Sequence, residues 1–150
     1  MLNVGDKAPE YLGKDESGKD IYLNDFSGKK LVVYFYPKDS TPGCTAEACS
    51  LRDGLSDLTD AGYAVIGVSG DNAASHQRFK EKQMLNFPLI ADVDKVLIKQ
   101  FGAWGEKKMM GRVYDGILRT TFVISPEGTI ERVITKVDTK NAATQILQSK

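Results

Sequence analysis

Two cysteines, Cys44 and Cys49, are the residues of this chain best suited to chemistry, and the segment before Cys44 predicts the start of a helix. Thr41 is a good N-cap residue, and Pro42 suits the first helical position because its missing N–H would have no helical partner there. Cys44 then falls at the third helical position. The backbone N–H groups there have no carbonyl partner within the helix. Because such groups and the positive end of the helix dipole favour a thiolate, we expect Cys44 to be a nucleophile.

A disulfide between Cys44 and Cys49 is not compatible with an intact helix. On an ideal helix their Cα atoms are about 8.6 Å apart, whereas a disulfide needs roughly 4.4 to 6.8 Å. We therefore expect a reduced form with an intact helix and Cys44 at the floor of a pocket, and an oxidised form whose first helical turns have unwound. A cysteine on an apolar helix face is often only a small hydrophobic residue, and that alternative stays open for Cys49.

The motif around Cys44 resembles that of a known family. Pro37, Thr41 and Cys44 have the spacing Pro-x-x-x-Thr-x-x-Cys, which resembles the active-site signature of peroxiredoxins, thiol peroxidases without a cofactor. Cys49 makes the chain similar to the Q type, or bacterioferritin comigratory protein, in which both reactive cysteines lie on one helix. The resemblance extends to residues 4–9, 34–37, 104–108 and 116–122.

The resemblance implies a complete reaction cycle. Cys44 attacks a hydroperoxide, becomes a sulfenic acid and condenses with Cys49, and a dithiol protein such as thioredoxin then restores both thiols. No metal or organic cofactor takes part, and a monomer or weak homodimer suffices because one chain supplies both cysteines. Two rival functions stay open: a thiol-disulfide oxidoreductase, although those carry Cys-x-x-Cys and usually a cis-proline, and a redox sensor or chaperone that signals through its disulfide.

Peroxide reduction requires hydrogen-bond donors for both oxygens as charge moves between them. The backbone N–H groups of Gly43 and Cys44 are available, and the Thr41 hydroxyl can add another donor. A cation is also needed. If the strand that Arg119 opens runs antiparallel to residues 31–36, Arg119 lies at the same sheet edge as the thiol loop, and the matching arginine of the family contacts the thiolate and the peroxide.

Several other residues have two interpretations. Glu47, one turn below Cys44, either holds Arg119 or a loop amide, or is an exposed helix residue. Pro37 either shields the sulfur from water and over-oxidation, as its family counterpart does, or simply ends a strand. Trp104 with Tyr36 and Phe101 forms either a wall of the peroxide pocket or, as we prefer, part of the core. His76, the only histidine, lies in a polar segment and is expected at the surface.

Composition excludes several function classes. The chain has 150 residues, and its 20 basic and 20 acidic side chains cancel, which argues against nucleic-acid or phospholipid binding. The first residues lack a signal-peptide pattern, and the longest apolar run, 31–36, is too short to span a membrane, so a cytoplasmic protein is expected. Two cysteines and one histidine leave a zinc site short of ligands.

The apolar pattern predicts an α/β fold in one domain, residues 1–150: a thioredoxin-like mixed β-sheet flanked by helices, with an N-terminal β-hairpin. Residues 30–36 and 63–69 read as buried strands. Between them an apolar stripe predicts a helix that ends near Gly62: Cys44, Ala48, Leu51, Leu55 and Leu58. Further predicted elements are hairpins at 10–23 and 119–137, a strand at 86–91, and helices at 71–83, 94–101 and 139–148.

Overall fold

The computed structural model describes residues 1–148 and has a central sheet of five strands. The strands are β1 Tyr11–Lys14, β2 Asp20–Tyr22, β3 Lys30–Phe35, β4 Tyr63–Ser69, β5 Leu89–Ala91, β6 Trp104–Met109, β7 Arg112–Ile117, β8 Thr120–Ile124 and β9 Ile130–Ile134. The helices are α1 Pro42–Asp53, α2 Leu55–Asp60, α3 Ala73–Gln83, α4 Val96–Phe101 and α5 Ala142–Gln148.

The central sheet has the strand order β5-β4-β3-β8-β9. Strands β3, β4 and β5 are parallel to one another, whereas β8 runs antiparallel to β3 and β9 antiparallel to β8. The prediction of a thioredoxin-like mixed sheet flanked by helices is therefore confirmed. β1 and β2 form the predicted N-terminal hairpin. Among residues 1–148, no helix is both long enough and apolar enough to cross a bilayer.

The alternation of side chains along β3 divides the core into two apolar clusters, one on each face of the sheet. Leu31, Val33 and Phe35 pack with α4 and the N-terminal hairpin on one face. Val32 and Tyr34 pack on the other face with residues of α1, including Cys44. Burial on both faces explains the continuous apolar run of β3, and it fixes helix α1, with its thiol, against the sheet.

Two features differ from the sequence-based expectations. The helix expected to continue to Gly62 is interrupted at Gly54, where an added Cβ would overlap Ala143 of α5. The glycine therefore lets α5 approach α1 closely, and the chain resumes as α2. The hairpin β6–β7 was not predicted; Met110 and Gly111 form its two-residue turn with φ angles of 52° and 79°.

Candidate active site

Cys44 is the third residue of α1 and is 1% exposed. The first hydrogen bond of the helix joins the Thr45 N–H to the Thr41 carbonyl at 2.8 Å. The N–H groups of Gly43 and Cys44 precede that bond, so they belong to the open end of the helix. The thiol therefore lies where backbone donors and the helix dipole favour an anion.

Thr41 has the extended backbone of an N-cap residue, but its side chain does not cap the helix. Its hydroxyl instead donates to the Lys38 carbonyl at 2.8 Å. The expectation of a side-chain cap is therefore wrong, because the preceding turn offers the hydroxyl a carbonyl acceptor. Thr41 still lines the pocket above the thiol, together with Pro37 and Gly43.

Arg119 meets the thiol, as the sheet-edge argument predicted. The pairing of Phe35 with Thr120 places Arg119 beside the end of β3, and its Nη2 donates to the Cys44 Sγ at 3.2 Å. Burial alone would lower the pKa of Arg119, but Cys44 and Glu47 outweigh it and raise that pKa. A Cβ on Gly43 would lie 3.3 Å from Nη2, so the glycine leaves room for the guanidinium.

Glu47 is buried under Arg119, so its interpretation as an exposed helix residue is wrong. Its Oε1 accepts a hydrogen bond from Arg119 Nη1 at 2.7 Å. Among the described residues, its Oε2 has no hydrogen-bond partner. Burial raises the pKa of Glu47 to about 7, although the Arg119 charge opposes that shift. The carboxyl thus orients the guanidinium and changes its own charge near neutral pH.

A pocket of about 620 Å³ opens above the thiol. Pro37, Cys44 and Arg119 line it, and further lining residues come from the unpredicted β6–β7 hairpin and the segment after it. β6 contributes Lys107 and Met109, β7 contributes Tyr114, and Leu118 follows β7. A sequence signal for this hairpin was the Met110-Gly111 pair, because glycine favours the positive φ that a two-residue turn requires.

Trp104, Tyr36 and Phe101 do not form a wall together, which agrees with the preferred core interpretation. Phe101 is buried on one face of the sheet, with Trp104 packed against the same cluster. Tyr36 is buried on the opposite face. Trp104 instead lies near Lys99, whose Nζ is 5.4 Å from the centre of the indole ring.

Cys49 is half-buried farther along α1, and both cysteines are free thiols. The Cys49 Sγ donates to the Gln83 Oε1 at 3.5 Å, and Arg52 Nη1 donates to the Gln83 carbonyl at 2.6 Å. Helix α1 is continuous through both cysteines, so this conformation is the reduced form with an intact helix.

His76 is buried, and the expectation of a surface position is wrong. Its Nδ1 lies 2.7 Å from the Asp39 Oδ2, and Asp39 belongs to the loop between β3 and α1. The part of α3 around His76 packs against polar groups of the loop, and its sequence is polar for that reason. An apolar pattern therefore could not predict that His76 is buried.

Comparison with known proteins identifies the family of this chain. The model of the AhpC/TSA family matches residues 4–133. Peroxiredoxin Bcp of Escherichia coli is 47% identical over 140 residues, which cover 93% of this chain and 90% of the relative.

Solved structures give the same result. A bacterioferritin comigratory protein of Xanthomonas campestris, studied for its alkyl peroxide reduction activity, superposes with a TM-score of 0.86 at 37% identity, covering 97% of this chain and 95% of that one. A cysteine mutant of Xylella fastidiosa peroxiredoxin Q gives a TM-score of 0.88 at 34% identity, covering 98% and 94%. This chain therefore belongs to the AhpC/TSA family and is a thiol peroxidase similar to the Bcp, or Q, type of peroxiredoxin.

Proposed function

We propose that Cys44 is the cysteine that attacks the hydroperoxide. The observation that carries this assignment is the contact of 3.2 Å between its Sγ and Arg119 Nη2, at the N-terminal end of a helix. The thiolate attacks one peroxide oxygen and the O–O bond breaks. Cys44 becomes a sulfenic acid, and the departing alkoxide or hydroxide takes up a proton. Arg119 and the N–H groups of Gly43 and Cys44 stabilise the charge as it moves from sulfur to oxygen.

Cys49 resolves the sulfenic acid in this proposal. Its thiolate attacks the Cys44 sulfur, an S–S bond forms, and the displaced hydroxide leaves as water after protonation. The ideal helical separation of about 8.6 Å is too long for that bond, so the first turns of α1 must unwind. Release of Cys49 from Gln83 is part of this change.

A thioredoxin-type dithiol returns the disulfide to two thiols and becomes a disulfide itself. Because one chain supplies both cysteines, the cycle operates in a monomer or weak homodimer. A cycle that ends with two free thiols fits a reducing compartment such as the cytoplasm.

The pocket supports organic hydroperoxides as substrates beside hydrogen peroxide. Met109, Tyr114 and Leu118 offer apolar contacts to an alkyl group near the thiol. The Xanthomonas campestris relative, with its alkyl peroxide reduction activity, supports the same substrate class. Pro37 covers the thiol from the loop side and limits access of water and of a second peroxide.

Stopped-flow reaction of the reduced protein with peroxide tests the function. We expect Trp104 fluorescence to report a second-order phase for Cys44 oxidation and a first-order phase for disulfide formation, with sulfenic acid trapped between them. Steady turnover should then require thioredoxin and thioredoxin reductase. A protein that consumes no peroxide under these conditions would contradict the proposal.

Hydrogen exchange tests the unwinding step separately. In the disulfide form, the amides of residues 41–52 should exchange faster than in the reduced form, whereas the amides of β3 and β4 should stay protected. We expect the unwound segment to end by Gly54, where α1 stops and α2 begins. Full protection of residues 41–52 in the oxidised protein, or a disulfide between two chains, would contradict local unwinding without contradicting the peroxidase activity.

A further inference from the structure

A buried polar network anchors the loop that precedes Cys44. The side chain of Asp39 is 4% exposed, and its Oδ1 accepts a hydrogen bond from the Tyr36 hydroxyl at 2.6 Å. Its Oδ2 accepts from the Ser75 hydroxyl at 2.8 Å and faces His76 Nδ1 at 2.7 Å. The Asp39 N–H donates to Asp71 Oδ2 at 2.8 Å. Groups of α3 and of the loop before it thus hold both the side chain and the backbone of Asp39.

Both ring nitrogens of His76 face oxygen acceptors. Nδ1 meets the Asp39 carboxylate, and Nε2 lies 2.9 Å from the Ile90 carbonyl of β5. A carbonyl and a carboxylate accept hydrogen bonds, so each nitrogen carries a proton and the ring is an imidazolium. Burial alone would lower the pKa of His76, but the Asp39 hydrogen bond and charge outweigh it and raise that pKa.

The same residues do not favour a metal ion. One ligand atom each of Asp39, Asp71 and His76 lies within 4.8 Å of the others. However, both oxygens of Asp39 accept hydrogen bonds from protein groups, and Asp71 Oδ2 accepts from the Asp39 N–H and the Ser69 hydroxyl. A cation would have to displace these donors, so the network is better explained as an anchor for the loop.

We propose that His76 is a positioning residue for the peroxidase reaction: its buried ion pair with Asp39 holds loop 37–44 in the conformation that presents Cys44 to Arg119. The proposal rests on the function proposed above. Asp39 lies five residues before Cys44, and the intervening Ser40 is exposed with a left-handed φ of 64°. Loss of the pair frees the loop, which favours the unwound form that a Cys44–Cys49 disulfide requires.

The ion pair also gives the loop a pH dependence. The titratable groups that face His76 are Asp39 from the loop, Asp71 from the segment before α3, and Tyr36 at the end of β3, while β5 contributes the Ile90 carbonyl. Because the pKa of His76 is raised, the pair is complete below about pH 6.5 and is lost as the pH rises through the folded-state pKa. The neutral ring then keeps a proton on only one nitrogen, so either Asp39 or the Ile90 carbonyl loses its donor, and the attraction between the imidazolium charge and Asp39 is gone.

Two substitutions separate the contacts of His76. His76→Gln keeps an amide donor for the Ile90 carbonyl but loses the partner of Asp39, whereas His76→Asn keeps a neutral donor for Asp39. We expect His76→Gln to accelerate disulfide formation about tenfold and to slow the peroxide step about threefold, with His76→Asn between it and the wild type. His76→Gln should also accumulate less sulfinic acid at high peroxide, because its sulfenic acid leaves the folded site sooner.

Ile130→Val is the control, since Ile130 is buried on the opposite face of the sheet, in the other apolar cluster. Ile130→Val lowers the global stability without touching the loop. The rates of the peroxide step and of disulfide formation should therefore stay at their wild-type values. Measured from pH 6 to pH 9, the ratio of the His76→Gln to wild-type disulfide rates should be largest at pH 6 and fall as His76 loses its charge. Normalising to the wild type removes the pH dependence of disulfide chemistry that both proteins share.

Unchanged rates and a constant ratio across this pH range, with only a lower melting temperature, would overturn the role of His76. Absence of the two kinetic phases in the wild type would overturn the proposed function itself. If His76→Gln does not fold, hydrogen exchange of residues 39–44 in the wild type decides. Their protection should fall between pH 6 and 9 relative to that of β4, and constant protection would overturn the proposal.

Discussion

The two cysteines lie five residues apart on one helix, yet they differ in helix position, in burial and in the partner of their hydrogen bond. Cys44 occupies the first turn, is buried, and receives a hydrogen bond from Arg119. Cys49 lies past the first turn, is half-buried, and donates to the neutral side chain of Gln83. The same side chain thus accepts a hydrogen bond from a guanidinium at one position and donates one to an amide oxygen at the other.

This difference teaches that position on a helix gives two chemically identical residues different surroundings. The first turn supplies free N–H groups and the sheet edge supplies a guanidinium, which is why we propose Cys44 as the attacking residue. An intact helix holds the two sulfurs on different faces, so in the proposed cycle Cys49 reacts only after the helix between them changes. In that proposal one cysteine is activated by structure, and the other acts through loss of structure.

The largest expected effect comes from removing the activated thiol. Cys44→Ser should abolish peroxide consumption, because a serine hydroxyl is not ionised at this site and Cys49 lacks the guanidinium contact. Peroxide loss in the presence of thioredoxin and thioredoxin reductase measures this. Turnover at a rate near that of the wild type would mean that Cys49 is the attacking residue.

Removing the other thiol should separate the two half-reactions. Cys49→Ser should consume one equivalent of peroxide, accumulate sulfenic acid at Cys44, and over-oxidise readily unless a small thiol replaces the missing partner. Mass spectrometry of the protein after one and after ten equivalents of peroxide measures this. An unchanged thioredoxin-dependent rate would place resolution elsewhere.

Replacing the Arg119 guanidinium should slow the reaction of Cys44 with peroxide without abolishing it. Arg119→Lys should slow the peroxide step at least about tenfold, because an ammonium cannot bridge the sulfur and Glu47 with a planar fork of donors. Arg112→Ala is the control, since Arg112 is exposed beside the hairpin turn, and its rate should be close to the wild-type value. Equal rate constants for the lysine variant and the wild type, with only a lower melting temperature, would restrict Arg119 to a structural role.

The smallest effect should come from Glu47 and should depend on pH. The pKa of Glu47 is about 7, so its carboxyl is mostly neutral at pH 6 and ionised at pH 8. The wild type should therefore exceed Glu47→Gln in the peroxide step by about twofold or less at pH 6 and by about fivefold at pH 8, where the carboxylate holds Arg119 more firmly. A ratio that does not change with pH would mean that the charge of Glu47 does not contribute.

Glu47 should also make the free energy of unfolding depend on pH. Here the wild type should lose ground to Glu47→Gln as the pH rises, whereas in the peroxide step it should gain. A buried carboxyl with a raised pKa contributes stability that is complete below pH 4.5, the ordinary pKa of the group, and is lost as the pH rises through about 7. Glu47→Gln lacks that loss, so its stability relative to the wild type should rise by about 1 to 3 kcal/mol from pH 5 to pH 8. Urea unfolding at the two pH values measures this.

Much of the fold and of the site could be predicted because the signals are local. The apolar run of β3 and the apolar stripe of α1 each bury a continuous face, so their periods appear in the sequence. The β6–β7 hairpin escaped prediction because its strands pair with each other and expose Met109 and Val113, so neither strand shows a buried face. Its contribution to the pocket was missed for the same reason.

The sequence by itself determined that Cys44 is the third residue of a helix, since the threonine before the helix and the proline at its first position mark where the helix begins. It also determined that Cys49 cannot join Cys44 across an intact helix, because helix geometry alone fixes that distance. Only the tertiary structure decided that Glu47 is buried under Arg119 and that His76 is buried against Asp39. Each of these contacts joins residues more than 30 positions apart, and a polar side chain in a helix shows no local sign of the charge that it meets across the fold.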